Sequence, residues 1–138
     1  MRYHICTAVG ILGSLMSALF GGWDAALATL VILMGIDYIS GLLLAGVFHR
    51  SPKTENGALE SKAGWKGLCR KGVILCIVLI GYRLDLVMHT DYIRDGVTIA
   101  FIANEAISII ENAGLMGVPM PAVIVKAIEA LTEKQKSE

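Results

Sequence analysis

The chain is short of charge. Only 17% of its 138 residues are Asp, Glu, Lys or Arg, where a soluble domain carries about a quarter. Twelve Lys and Arg balance twelve Asp and Glu, so there is no basic field for nucleic acid. The three cysteines, Cys6, Cys69 and Cys76, stand in no CxxC or Cys/His ligand spacing. An odd count without such spacing indicates neither a disulfide framework nor a zinc site, and they read as small apolar filler. P-loop, GxGxxG, HExxH and Ser/His/Asp arrangements are also missing. Glu105 and Glu111 share a helix face, but a glycosidase pair must flank a sugar-sized cleft, and nothing supplies a soluble one. His4, His49 and His89 fall at or outside helix ends. No catalytic, cofactor-binding or metal-binding residue is nominated, and the expectation is a non-enzyme without a cofactor.

Long apolar runs take the place of charge. Apolar residues make up 55% of the chain against about 45–50% in a soluble domain, and they are concentrated in four stretches. About 18 or more apolar residues in a helix cross ~30 Å of hydrocarbon. The expected fold is therefore an all-α membrane protein in a single domain, residues 1–138. Its hydrophobic helices are expected at 5–23, 25–48, 72–88 and 97–113, with a basic loop at 49–71. The first three read as spans. The first stops at Gly21-Gly22-Trp23-Asp24, a tight break with an aromatic at interface depth. It is not read as a cleaved secretory signal, because Asp24 leads straight into more apolar chain.

The fourth stretch is amphipathic. With Asn104 at 0° on a helical wheel, Glu105, Ser108, Glu111 and Asn112 fall within an arc of ~120°. Such a helix either spans with its polar stripe against protein or water, or lies in the interface. Val118-Pro119-Met120-Pro121 ends it. Pro121 then opens a short amphipathic helix over 121–134, with Ile124, Ile128 and Leu131 on its apolar stripe.

Arg50, Lys53, Lys62, Lys66, Arg70 and Lys71 gather between the second and third stretches. The connections at 21–24 and 89–95 hold Arg94 alone. Cytoplasmic loops collect Lys and Arg, so the expectation is a multi-pass membrane protein whose basic loop and N-terminus lie on the cytoplasmic side.

Two kinds of residue invite a functional reading. Gly10, Ser14, Ala18 and Gly22 recur every four residues, with Gly13, Ser17 and Gly21 in a second series. Such small-residue ladders let helix backbones approach closely in lipid, within one molecule or between copies. With Gly41 they are the helix-packing candidates. Asp37 lies 12 residues into the second stretch. A carboxylate there costs at least ~2.5–3.5 kcal/mol on insertion scales, so it needs a partner, water or a proton. It faces a polar seam in an assembly, or else pairs internally, with Arg83 the nominee across an offset of ~10 Å. Arg83 and Asp85, nearer the outer end, read as snorkelling side chains. Asp37, Asn104, Glu105, Ser108, Glu111 and Asn112 are the polar-seam or pore candidates.

Several of these segments resemble a known family. Asn104-Glu105-Ala106-Ile107-Ser108-Ile109-Ile110-Glu111-Asn112, followed by Gly117-Val118-Pro119-Met120-Pro121, is similar to a motif of one bacteriophage holin family, which also includes toxin-secretion proteins of Gram-positive bacteria. Asp37-Tyr38-Ile39-Ser40-Gly41 and the basic segment Ser61 to Lys71 resemble its earlier elements, in the same order, over about residues 25 to 131. The first helix with its ladder is not part of that resemblance. The resemblance implies a holin: many copies assemble in the host cytoplasmic membrane and open lesions. A murein hydrolase (an endolysin) or a secreted toxin, the functional partner, leaves through them. The lipid bilayer and further copies of the chain are the other implied partners. Two other classes fit the residues: a small ion channel or transporter with Asp37, Glu105 and Glu111 on its pathway, and a membrane scaffold for a lysis enzyme.

Overall fold

The computed structural model describes residues 1–137. Within them the chain forms five α-helices and no strand: α1 (Arg2–Phe20), α2 (Ala25–Gly46), α3 (Ser61–Met88), α4 (Ile93–Leu115) and α5 (Ala122–Ser137). By length and composition α1 and α2 are apolar enough to cross a membrane. At ~1.5 Å per residue, α3 and α4 are about 42 and 35 Å long, but both carry charge along their length.

Helix α3 differs most from the sequence expectation. It begins at Ser61, 11 residues before the apolar run at 72, and takes Lys62, Lys66, Arg70 and Lys71 into its first turns. Charge lowers hydropathy without breaking a helix, and no proline lies between Ser61 and Gly72. Gly64 and Gly67 bring this end of α3 close to Tyr38 of α2, whose hydroxyl donates to the Gly64 carbonyl at 3.3 Å. Helix α4 likewise begins at Ile93 and not 97. Helix α5 starts at Ala122, one residue after Pro121, and buries none of its residues.

The buried positions explain how the helices meet. On α2 they are Leu27, Leu30, Met34, Asp37, Leu44 and the neighbouring Ala45, with half-buried Gly41 completing the row from Leu27 to Leu44. Successive spacings of three, four, three, four and three make a narrow heptad-like seam, the pattern of helices crossing at a shallow angle. Helix α3 repeats it with Val78, Gly81 and Asp85, and α4 buries Arg94, Thr98, Ala103, Glu105 and Asn112. Phe20, Leu27, Leu30, Met34 and Val78 form the apolar part of the shared core. The outer faces are apolar as well: Ile32, Ile36, Ile39 and Leu43 of α2, and Ile80, Leu84 and Val87 of α3, are exposed. Several polar groups are buried inside while the outer faces of α2 and α3 are mainly apolar, the arrangement lipid demands.

Arg94 ties the ends of four helices together. Its Nε donates to the Phe20 carbonyl at 2.6 Å and its Nη2 to the Gly22 carbonyl at 3.2 Å. Nη1 pairs with Asp24 at 2.7 Å. The same Asp24 caps α2 by accepting from the Leu27 amide at 2.9 Å. Asp85, read above as a snorkelling side chain, is instead buried. Its carboxylate accepts from the Thr90 hydroxyl and from the Ile93 and Arg94 amides, and so caps α4. The ends of α1 and α3 and the starts of α2 and α4 therefore share one side of the bundle, and α2 and α4 run parallel. Gly21 closes α1 at φ +78, and a side chain on it would collide with the Tyr82 ring of α3.

The Arg94 guanidinium hydrogen-bonded to Asp24 holds that carboxyl below its ordinary value of 3.8 against the opposing effect of burial. A lowered carboxyl pKa stabilises the fold fully above the ordinary value, and the contribution is lost as pH falls through the lowered one. The thermal-midpoint gap between the native chain and Asp24→Asn in detergent should thus stay constant from neutral pH down to about pH 5 and narrow below about pH 4.

Candidate functional site: a charged centre inside the bundle

Three charged residues meet at one depth. Asp37 lies 12 residues into α2 and Glu105 12 residues into α4, about 18 Å along parallel helices from the Arg94 end. Lys71 stands 14 residues before Asp85 on the antiparallel α3, about 21 Å from the same end. The Lys71 ammonium pairs with Asp37 Oδ2 at 2.6 Å and with Glu105 Oε2 at 2.7 Å. The Lys71 side chain is 14% exposed and each carboxylate side chain 7%. A shared ammonium between two carboxylates makes two charge-assisted hydrogen bonds, the strong kind.

Asn112, two turns after Glu105, closes the centre on its other side. Its Nδ2 donates to Ser40 Oγ at 2.9 Å and lies within 3.4 Å of the Asp37 carbonyl and carboxylate. Gly41 packs beside it, and a Cβ there would make ordinary van der Waals contact with Asn112 Nδ2 at 3.8 Å. The centre thus links α2, α3 and α4 through side chains that would each be costly alone in hydrocarbon.

The sequence-nominated residues divide. Asp37, Glu105 and Asn112 come together and are buried. Ser108 is half-buried beside them, while Asn104 and Glu111 of the same stripe are exposed. The stripe is therefore partly satisfied within one molecule. The internal partner nominated for Asp37 was Arg83, and the structure corrects this to Lys71. Arg83 lies 12 residues, about 18 Å, further along α3, is exposed, and makes no ion pair among the described residues. Lys71 escaped notice because it was assigned to a loop, and Arg94 because it was assigned to a connection. Depth matching against Asp37 and Asp24 is the signal that would have found them.

The small-residue ladder of α1 stays outside this centre. Helix α1 packs against α3 and buries only Phe20. Gly10 and Gly13 face open space, and with Ser14, Ser17 and Ala18 they line a shallow groove of about 680 Å³ that reaches Tyr82. Among the described residues no cluster of His, Cys, Asp and Glu is placed to hold a metal ion.

An all-α bundle with apolar outer faces, a charged centre and two helices fit to cross a bilayer defines a helical membrane protein. Comparison with known proteins narrows the class. The profile of the bacteriophage holin family matches residues 14–133. The chain is 38% identical over 138 residues to an uncharacterized protein of Listeria innocua, covering 98% of this chain and 93% of the relative. It is 41% identical over 118 residues to another from Listeria monocytogenes, covering 83% and 79%. To a protein named probable holin from Bacillus phage phi105 it is 31% identical over 112 residues, covering 79% and 77%. No solved structure matches it. The chain belongs to the bacteriophage holin family.

Removing one partner from a buried ion pair costs ~3–5 kcal/mol, because a charge is left uncompensated. Lys71→Met should lower stability by that order in mixed-micelle unfolding, and Arg83→Gln by no more than ~0.5 kcal/mol. Adding Asp37→Asn and Glu105→Gln to Lys71→Met should recover most of the loss.

Proposed function

We infer that this chain is a holin: it oligomerises in the bacterial cytoplasmic membrane and opens lesions that release a murein hydrolase or a toxin. It does so without catalysing a reaction. Family membership supports the reading, as does the relative named probable holin. The observation that carries it furthest is the divided polar stripe of α4. Glu105 and Asn112 are satisfied inside one molecule by Lys71, Asp37 and Ser40, whereas Asn104 and Glu111 stay exposed, Asn104 in the open cavity between α2, α3 and α4. Polar groups left exposed on a largely apolar bundle are relieved against protein or water, which favours association.

In this reading α1 to α4 cross the membrane, and the end carrying Lys62, Lys66 and Arg70 faces the cytoplasm with the N-terminus. The open ladder at Gly10, Gly13 and Ser14 gives copies a close-packing face. One molecule keeps Asp37 and Glu105 sealed by Lys71. In the assembled state the seam of Asp37, Asn104, Glu105, Ser108, Glu111 and Asn112 turns toward shared water. The exchange is one of partners for polar groups and needs no new chemistry.

The test is lysis. The chain is expressed from an inducible promoter in a bacterium making a cytoplasmic murein hydrolase, and optical density is followed. A Glu111→Leu variant and a hydrolase-only strain run beside it. The expected result is abrupt lysis after a delay, only with both proteins present, and slower or absent in Glu111→Leu. Depolarisation with the hydrolase retained would mean an ion channel instead, and an intact, polarised membrane would mean a scaffold.

A further inference from the structure

A second feature adjoins the charged centre, whose Asp37, Lys71 and Glu105 form part of its wall. Between the C-terminal half of α2, the 47–60 connection, the first turns of α3 and the middle of α4 lies an open cavity of about 1010 Å³. Lys53, Lys62, Lys66 and Arg70 line its mouth. Lys62, Lys66 and Arg70 follow one another at spacings of four, so they form a single row along α3. Like charges in such a row repel and cost helix stability. Glu55 and Glu60 line the same mouth, yet none of the four cations makes an ion pair among the described residues. Outside the buried Lys71 centre the mouth therefore carries four cations against two carboxylates, an excess of two.

Deeper on the same side of α3 the chemistry changes. Val73, Ile74 and Ile77 continue the wall, joined by Leu42 of α2 and Phe101 of α4, alongside the mutually paired Asp37, Lys71 and Glu105. From Arg70 to Ile77 is about 10 Å along the helix. Within that distance the wall passes from cationic to apolar, as an anionic phospholipid passes from phosphate to acyl chain. Exposed Trp65 stands on the same turns, the residue type that settles at headgroup depth. Soluble phosphate would use the cations and leave the apolar wall idle; a neutral lipid would use the wall and leave the cations unpaired.

We propose that this cavity is a binding site for one anionic glycerophospholipid, its phosphate held by Lys62, Lys66 and Arg70 and its acyl chains laid along Val73, Ile77, Leu42 and Phe101. Basic pockets between membrane helices take such headgroups. The proposal requires the chain to reside in a bilayer and does not depend on lesion formation.

Native mass spectrometry of the purified full chain, with circular dichroism to check folding, tests it. Phosphatidylglycerol and phosphatidylcholine are added separately, with sn-glycerol 3-phosphate as the soluble competitor. The native chain should retain phosphatidylglycerol at least about tenfold better than phosphatidylcholine. Each cation removed weakens binding about fivefold, so Lys66→Gln with Arg70→Gln should weaken retention by about 25-fold. Lys134→Gln with Lys136→Gln, equal in charge but on α5, should leave it unchanged. Equal losses in the two double variants would overturn the proposal, because binding would then follow net charge and not the cavity. So would unchanged retention in the folded first variant, or displacement of the lipid by an equal concentration of glycerol phosphate.

Discussion

The bundle depends on one ammonium group shared by two carboxylates. Lys71 from α3 lies between Asp37 of α2 and Glu105 of α4, within 2.7 Å of both. In water such a contact would add little, because both partners are already well solvated. In hydrocarbon each would be costly alone, so the three charges can be buried only together. Their register is then fixed, since sliding any helix by one turn moves its charge about 5.4 Å away from the others. Asn112, Ser40 and Gly41 lie against this centre. Arg94 and Asp85 perform the matching task at the opposite end, where they hold helix termini and loop carbonyls.

A lock made of charges has a property that an apolar core lacks. An apolar seam in lipid gains nothing from exposure to water, whereas ionic partners can trade one another for water once many copies provide it. The proposed function asks for a molecule that stands alone in the bilayer and reorganises among copies, and a lock of this kind suits it. The almost bare α1, with its open glycines, leaves a close-approach face outside the locked part.

Much of the fold was legible as apolar runs. The break at Gly21 needed a left-handed residue and a close approach to Tyr82, and both require glycine. The end of α4 was announced by Gly117 and the prolines after it. Asp37 declared its need for a partner by its depth alone. The partner was missed because hydropathy drew the third helix only as far as it was apolar. The basic turns from Ser61 to Lys71 are helical in the structure, and that extension carries Lys71 to the level of Asp37. Residue types identify a charge that must be paired, but only the helix ends say which opposite charge shares its depth. For the same reason Arg83, nearer in the imagined register, stands exposed at the far end. The split of the α4 stripe was likewise beyond a helical wheel, which groups Glu105 with Glu111 and cannot say which of them faces α2.

Solid-state nuclear magnetic resonance on the chain in lipid bilayers reaches the shared ammonium directly. With the Lys71 Nζ labelled with nitrogen-15 and the side-chain carboxyls with carbon-13, dipolar recoupling reads the distances. The account predicts strong coupling from one ammonium to both an aspartate and a glutamate carboxyl, with nitrogen-to-oxygen contacts of 2.6 and 2.7 Å. The signal should vanish in Lys71→Met. An ammonium that couples to neither carboxyl and exchanges freely with water would contradict it.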